Sequence, residues 1–270
     1  MSENFLEGKG VIITGGASGF GRGAAYALAE RGADIALIDI NEELLEETAK
    51  KVAEKTNHKV IPIVCDVADS KAVKKMAEKA FDELGNVYIL FNNAGTALAY
   101  GLNVIRIGEK AWDATININL KGQWLVDKFV CRQMNRQTFE PIGGKVIHTS
   151  SCYGIALSPF VPAYSISKAG VIALNKLLAK TLAPYITSNA IAPGFHVTGI
   201  YGNREDIMLQ SMTDGHVKTP LNRIGTVDDV TNLIIFLASN HSDFITGHCF
   251  TIDGGISEVG VPPYDLDVEV

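Results

Sequence analysis

Short apolar runs alternate with longer helical patterns along almost the whole chain. The runs are rich in Val and Ile and lack strict polar–apolar alternation, which is typical of strands buried on both faces of a sheet. They are residues 10–14, 34–39, 60–65, 87–91, 145–149, 187–191 and 249–252. Helical patterns fall between them, at residues 19–30, 42–54, 70–83, 109–135, 164–183 and 227–239. Repeated strand–helix–strand succession predicts a parallel sheet with right-handed crossovers.

A single domain is predicted for residues 1–270. This length is near the upper limit for one hydrophobic core, and no repeat, low-complexity segment or long linker divides the chain. The expected fold is α/β, with one doubly wound, seven-stranded parallel sheet flanked by helices on both faces. Residues 256–270 should form a C-terminal tail, whose acidic end at 261–270 is either disordered or packed on a partner subunit.

Composition excludes several classes of function. The net charge is −6 and the Lys and Arg residues are scattered, so we expect no nucleic acid and no membrane surface as partner. No signal peptide is visible, and no apolar run approaches the roughly 18 residues that span a bilayer. The cysteines lack metal-site spacing, so we expect free thiols, no metal and a cytoplasmic location. They are Cys65, Cys131, Cys152 and Cys249.

Tyr164 and Lys168 are four residues apart in a predicted helix, so their side chains lie on one face. The pKa of a free tyrosine is about 10, and a neighbouring ammonium lowers it by favouring the phenolate. Tyr164 is therefore a candidate acid or base near neutral pH, although such pairs also occur as ordinary helix residues. Ser151 follows a predicted strand and either joins this chemistry or caps a turn.

A glycine-rich turn joins the first predicted strand to the first predicted helix. Glycines let the backbone approach a phosphate closely, and a helix N-terminus offers amide donors. The turn therefore predicts a dinucleotide site, since it stands between a strand and a helix. A tight turn with no ligand is the alternative. Its ligand candidates are Gly15, Ser18, Gly19, Phe20 and Gly21.

Asp39 ends the second predicted strand and favours NAD over NADP. A carboxylate there accepts hydrogen bonds from both adenine-ribose hydroxyls and repels a 2′-phosphate. The next residue is Ile40 rather than a cation, and Ala17 and Ser18 offer no cation either. The alternative is that Asp39 caps the following helix, although Asn41 can serve as that cap.

Two later turns are also candidates for the nucleotide site. Asp66 either binds the adenine amine or caps the helix that begins near Ser70. The Asn-Asn-Ala-Gly segment at 92–95 follows the fourth strand; its small residues allow a close approach, but a plain turn would have the same composition.

These segments together resemble the short-chain dehydrogenase/reductases with a TGxxxGxG turn and a YxxxK pair. Residues 14–21 fit the first motif, and Tyr164 and Lys168 fit the second. The resemblance runs from Lys9 to Gly255 and rests further on segments 92–95, 119–122, 189–194, 221–225 and 253–255. It implies a Rossmann fold and hydride transfer between nicotinamide and a secondary alcohol or ketone.

The resemblance also implies the roles of individual residues. Tyr164 is the expected acid or base, Lys168 lowers its pKa and holds the nicotinamide ribose, and Ser151 orients the substrate oxygen. Asn119 is expected to hold a water that links Lys168 to solvent. The expected NAD-binding residues are Gly15, Ser18, Gly19, Phe20, Gly21, Asp39, Ile40, Asp66, Val67, Asn93, Ala94, Gly95, Tyr164, Lys168, Pro193, Gly194, His196 and Thr198.

The chain departs from the family pattern at two positions. Phe20 stands where the family usually has Ile, and His196 stands where it usually has Ile or Val. If only its backbone meets the cofactor, the His196 side chain changes little. If the ring turns inward, it touches substrate or titrates near neutrality. The first alternative is favoured.

The substrate is expected to bind among segments 96–100 and 152–162 and a lid at about 196–222. Apolar lid residues favour a substrate with an apolar body, such as a hydroxysteroid or another cyclic alcohol; a sugar or polyol is the competitor. Arg204 either pairs with an acidic substrate or is solvated. The lid's apolar residues are Ile200, Tyr201, Ile207, Met208, Leu209 and Met212.

Other functions of the same fold stay open, namely a non-redox enzyme (epimerase or dehydratase) or a catalytically silent NAD sensor. The resemblance implies a homotetramer built by pairing the helices at 109–135 and 164–183.

Overall fold

Seven parallel strands form one sheet in the order β3-β2-β1-β4-β5-β6-β7 in the computed structural model. The structure describes residues 4–98, 103–196, 198, 213 and 219–259. The strands are β1 Gly10–Thr14, β2 Asp34–Asp39, β3 Val60–Val64, β4 Ile89–Asn92, β5 Gly144–Thr149, β6 Ile186–Pro193 and β7 Cys249–Ile252. The predicted doubly wound, seven-stranded parallel sheet is thereby confirmed.

The described helices fill the predicted connections. They are α1 Gly19–Ala29, α2 Glu42–Thr56, α3 Ser70–Leu84, α4 Glu109–Ile116, α5 Gln123–Met134, α6 Pro162–Leu182, α7 Val227–Ala238 and α8 Ile256–Val259. Helix α6 begins two residues before the predicted start because Pro162 occupies its first turn, where a missing N–H is harmless. None of the described helices is long and apolar enough to cross a bilayer.

Both faces of the sheet are covered, which explains the unbroken apolar strands. Val11 and Ile13 of β1 belong to a core with residues of α1, α2 and α7. Ile12, between them, belongs to a second core with residues of α3, α5 and α6. Successive side chains of a strand point to opposite faces, so β1 must be apolar at every position.

The helical stretch predicted at 109–135 is present, but it contains a π turn that the sequence pattern does not predict. Helix α4 passes into a π turn at Asn117–Gly122, and α5 follows. A π turn carries an extra residue in its hydrogen-bonded ring, which is a deviation that an apolar repeat does not reveal. The turn contains Asn119, whose side chain it places against the loop after β4.

Parts of three predicted segments lie outside the described residues. The structure describes 96–98 of the predicted substrate segment 96–100, 196, 198, 213 and 219–222 of the predicted lid, and 256–259 of the predicted tail. The lid residues Ile200, Tyr201, Arg204, Ile207, Met208, Leu209 and Met212 are among those outside. The division into one domain with a lid and a tail stays a prediction.

Candidate active site

One cavity of about 440 Å³ lies at the carboxyl ends of the strands. Chain connections leave β1 and β4 in opposite directions, which makes this the switch point where such sheets bind ligands. The cavity is lined by seventeen of the predicted cofactor residues, namely Gly15, Ser18, Gly19, Phe20, Asp39, Ile40, Asp66, Val67, Asn93, Ala94, Gly95, Tyr164, Lys168, Pro193, Gly194, His196 and Thr198. Ser151 lines it as well.

The glycine-rich turn forms one wall. Gly15 and Gly19 have φ values of +66° and +51°, which side chains rarely allow. Ser18 is the N-cap of α1, but its side chain makes no capping hydrogen bond. The N-terminus of α1 therefore keeps donors for a phosphate, and the residues present fit a dinucleotide.

Gly21 departs from the prediction, because it does not line the cavity. A Cβ at this position would lie 2.0 Å from the Gly15 carbonyl oxygen. Gly21 instead lets α1 pack directly against the turn, and its effect on the cavity is through the shape of the backbone.

Asp39 faces the cavity from the end of β2. Its Oδ2 accepts a hydrogen bond from Ala17 N at 3.1 Å, and its Oδ1 accepts one from Asn41 N at 3.1 Å. Asn41 is the cap of α2, accepting from Leu44 N, so the helix-cap alternative for Asp39 is wrong. Lys168 is the one Lys or Arg among the described lining residues. It contacts β5, which is three strands from β2 in the sheet, so no described cation of the cavity lies beside Asp39.

Asp66 lines the cavity beyond β3. Its Oδ1 accepts from Ala68 N at 2.8 Å in a tight turn. Asp69 is the cap of α3, accepting from Lys71 N at 2.7 Å and Ala72 N at 3.2 Å. The alternative role of Asp66 as a helix cap is therefore wrong.

Lys168 and Tyr164 come together on α6 as predicted from their spacing. Lys168 Nζ lies 5.7 Å from the centroid of the Tyr164 ring and donates to the Thr149 carbonyl at 2.7 Å. Burial lowers the pKa of Lys168 to about 7. Both protonation states of this amine are therefore accessible near neutral pH.

Ser151 caps a turn and also lines the cavity, so capping does not exclude the catalytic alternative, which stays a prediction. Its Oγ accepts from Tyr153 N at 3.1 Å at the start of the 3₁₀ turn Cys152–Gly154. Oγ is the acceptor there, and its own O–H donates to Cys152 Sγ at 4.0 Å, a weak contact that a substrate oxygen can replace. The neighbouring Ser150 instead donates to the Lys168 carbonyl at 2.8 Å, which ties β5 to α6.

Asn119 is fully buried and does not line the cavity. Its Nδ2 donates to Thr96 O at 2.9 Å and Ser167 Oγ at 3.1 Å, and its Oδ1 accepts from Thr96 N at 2.8 Å. A Cβ on Gly95 would lie 3.3 Å from both Asn119 Oδ1 and Lys168 Nζ. Asn119 is therefore next to Lys168 and fixes the loop after β4; its predicted role in holding a water stays a prediction.

His196 packs within the protein. Its Nδ1 lies 3.1 Å from the Gly194 carbonyl oxygen, and its ring meets the edge of Phe20 at a centroid distance of 5.2 Å. A Cβ on Gly225 would lie 2.1 Å from Nε2, so the ring fills the space that this glycine leaves. Burial lowers the pKa of His196, which disfavours titration near neutrality. The two departures from the family pattern thus contact each other.

The substrate end of the cavity is mostly apolar in the described part of the chain. Tyr153 and Phe195 form an edge-to-face pair with centroids 6.0 Å apart. Phe195 was not predicted as a site residue, although it lies between the predicted Gly194 and His196. Leu157 and Phe160, within the segment 152–162 that is expected to bind substrate, are more than half exposed and do not line the cavity. The other residues at this end are Thr96, Ala97, Cys152 and Val161.

No three His, Cys, Asp or Glu side chains of the described residues come together as a metal site would require.

Several known proteins are similar to this chain in sequence and in fold. A family model described as enoyl-(acyl carrier protein) reductase matches residues 15–257. A 3-oxoacyl-[acyl-carrier-protein] reductase of Thermotoga maritima is 38% identical over 93% of this chain and 98% of its own length. The 2-dehydro-3-deoxy-D-gluconate 5-dehydrogenase of Dickeya dadantii is 34% identical over 93% of this chain and 96% of its own.

Among solved structures, that of an NAD⁺-bound xylitol dehydrogenase superposes with a TM-score of 0.83 and 31% identity. The match covers 93% of this chain and 99% of that one.

Proposed function

The chain belongs to the short-chain dehydrogenase/reductase family and acts on CH–OH groups, and we propose that its reaction is the NAD-dependent oxidation of a secondary alcohol or the reverse reduction of a ketone. The observation that carries this proposal is that one cavity holds both sets of candidate residues. It joins the glycine turn and Asp39 at one end to Ser151, Tyr164 and Lys168 at the other.

The choice of NAD rests on Asp39. The Ala17 and Asn41 amides each occupy one of its oxygens, so the carboxylate is fixed in place with acceptor sites left for ribose hydroxyls. A 2′-phosphate would need a cation beside Asp39. The described lining residues at the ends of β2, β1 and β4 include no Lys or Arg.

The bound nicotinamide supplies the hydride acceptor. Tyr164 as phenolate removes the hydroxyl proton of the alcohol while the carbinol hydrogen leaves as hydride, and the product is a ketone. Lys168, as ammonium, stabilises that phenolate electrostatically. Ser151 O–H donates to the substrate oxygen and so holds it at Tyr164. In the reduction each transfer runs backwards, and Tyr164 gives its proton to the carbonyl oxygen.

We propose an uncharged substrate. Tyr153, Phe195 and Val161 present apolar surface at the substrate end, and Lys168 is the one described lining residue there with a cationic head group. This supports a cyclic or aliphatic secondary alcohol or a neutral polyol over a sugar acid. The Dickeya and Thermotoga relatives, whose names give a sugar acid and an acyl carrier protein as substrates, define the competing classes.

Initial rates of nicotinamide reduction test the proposal. NAD and NADP are each assayed against hydroxysteroids, simple secondary alcohols, polyols and sugar acids, and ketone reduction is assayed with a 3-oxoacyl thioester. Turnover with NAD on a neutral alcohol supports the proposal. Tight NADH binding without turnover on any compound favours the sensor alternative, and conversion without a change in nicotinamide redox state favours the epimerase or dehydratase alternative.

We also propose a cytoplasmic homotetramer. Helices α5 and α6 carry the exposed apolar residues Trp124, Ile166 and Leu177, which suit a helix-pairing interface. Sedimentation equilibrium of the wild type and of Leu177→Glu tests the association: the wild type should sediment as a tetramer and the variant as a smaller species.

A further inference from the structure

A buried pair of ionisable side chains lies behind the cavity. Asp127 of α5 and His148 of β5 are 2% and 0% exposed, and neither lines the cavity. His148 Nε2 lies 3.1 and 3.0 Å from the two carboxylate oxygens of Asp127. Their neighbours on α5, such as Val126 and Val130, belong to the apolar core.

Stability does not account for this pair. A buried ion pair seldom stabilises a fold more than apolar residues of the same volume, because both groups lose their hydration. Two buried atoms of the same polar cluster, His148 Nδ1 and Gln123 Oε1, have no hydrogen-bond partner among the described residues. Such unsatisfied atoms add to the cost of burying the cluster.

The carboxylate of Asp127 fixes the amide of Asn92. Asn92 Nδ2 donates to Asp127 Oδ1 at 2.9 Å, and its Oδ1 accepts from Thr14 Oγ1 at 3.3 Å. A carboxylate accepts hydrogen bonds and does not donate them, so the Asn92 amide has one permitted orientation. That orientation directs the Thr14 hydroxyl proton toward Asn92.

The Thr14 hydroxyl in turn holds the backbone at the cavity wall. Once its proton points to Asn92, its lone pairs face Asn93 N at 2.9 Å and Ala94 N at 3.0 Å. Asn93 and Ala94 both line the nucleotide end of the cavity. A continuous chain of hydrogen bonds therefore joins the buried Asp127 to the cavity wall.

A second branch reaches Lys168. Asn92 Nδ2 also donates to the Gln123 carbonyl at 2.8 Å. The Gln123 side chain donates to the Thr149 carbonyl at 3.2 Å, which is the same carbonyl that accepts from Lys168 Nζ at 2.7 Å. The cluster thus contacts both ends of the proposed site.

We propose that Asp127 and His148 are positioning residues, which orient the Asn92 amide and through it the cavity backbone that receives the dinucleotide. His148 donates to the carboxylate and holds its Oδ1 toward Asn92. The inference rests on the proposed nucleotide site, and its effect is expected on cofactor binding more than on turnover of the bound complex.

The same strand provides a matched control. Lys145, at the opposite end of β5, is 1% exposed and pairs with Asp243 Oδ1 at 2.7 Å. It also donates to Ser242 Oγ at 3.1 Å. Lys145 is as buried as Asp127 and His148, but its pair with Asp243 lies at the end of the sheet away from the cavity. A Lys145→Met variant loses a buried ionic contact without touching the site.

The test compares Asp127→Leu, Asp127→Asn and Lys145→Met with the wild type. NADH dissociation constants are measured by fluorescence titration well below each melting temperature, together with kcat and KM. Asp127→Leu should raise the dissociation constant and KM of NADH roughly tenfold, the effect of one hydrogen bond to a charged group, with kcat within about threefold. Asp127→Asn should restore binding, since its oxygen accepts from Asn92 while its NH₂ donates to the other tautomer of His148. Lys145→Met should lower the melting temperature alone.

The inference would be overturned if Asp127→Leu bound NADH as tightly as the wild type. It would also be overturned if Lys145→Met weakened NADH binding as much as Asp127→Leu does. If Asp127→Leu does not fold, His148→Phe decides: a dissociation constant raised at least threefold supports the inference, and an unchanged one refutes it. Failure of the wild type to bind NADH would instead overturn the proposed function.

Discussion

Replacement of Asp39 by serine should invert the cofactor preference of the protein. In Asp39→Ser the 2′-hydroxyl, which NAD has and NADP lacks, loses a charged acceptor worth about 1.5–3 kcal/mol. The variant also loses the repulsion between a carboxylate and the roughly two negative charges of a 2′-phosphate, about 2 kcal/mol at roughly 4 Å in a water-like dielectric. The two effects together change the free-energy preference for NAD by about 3.5–5 kcal/mol. The ratio of kcat/KM for NAD to kcat/KM for NADP should therefore fall roughly 300- to 5,000-fold.

The assay is the initial rate of nicotinamide reduction, with the coenzyme varied and the best alcohol saturating. Glu42→Gln is the matched control, because it removes one negative charge just beyond Asp39 at the start of α2 from a side chain that does not line the cavity. Its coenzyme ratio should stay within about threefold of the wild type. If Asp39→Ser and Glu42→Gln give the same ratio as the wild type, Asp39 does not select NAD.

Three further changes test other parts of the site. Burial lowers the pKa of Lys168 from its unfolded value to about 7, so between about pH 7 and 10.5 the unfolded chain binds more protons. The free energy of unfolding of the wild type relative to Lys168→Met should therefore rise by about 1.4 kcal/mol per pH unit in that window; parallel curves from urea titrations would contradict the lowered pKa of Lys168. Gly225→Ala should destabilise the fold by about 1–3 kcal/mol, because its Cβ meets the His196 ring, and adding His196→Val should recover most of this loss in urea unfolding. Ser151→Ala should lower kcat/KM about 10²–10³-fold without changing NADH affinity, and a smaller loss than tenfold would leave Ser151 as a turn cap alone.

The strands and most helices could be predicted because one physical constraint dominates each of them. A strand buried on both faces has to be apolar at every position, and a helix cap such as Asn41 is a local signal. The cap of α3 is harder to predict, because Asp66 and Asp69 both precede that helix and only the structure shows that Asp69 caps it. The π turn around Asn119 has no such signal, and the contact of that side chain with Thr96 spans 23 residues.

The nucleotide and catalytic residues could be predicted from motif order, but their supporting contacts could not. Asp127 and His148 are 21 positions apart, in segments with other polar residues such as Lys128 and Thr149, and only the packing of α5 on β5 brings them together. His196 shows the same limit. Its fit against Phe20 and Gly225 depends on the space left by a missing Cβ, which the sequence around His196 does not encode.

Turnover of Tyr164→Phe tests the central claim most directly. The substitution keeps the ring on α6 and removes the proton that the proposed reaction transfers. Turnover of the best alcohol with NAD should fall roughly 10²–10⁴-fold, while the NADH dissociation constant stays within about threefold of the wild type. Turnover near the wild-type rate would contradict the account, because another group would then carry the proton.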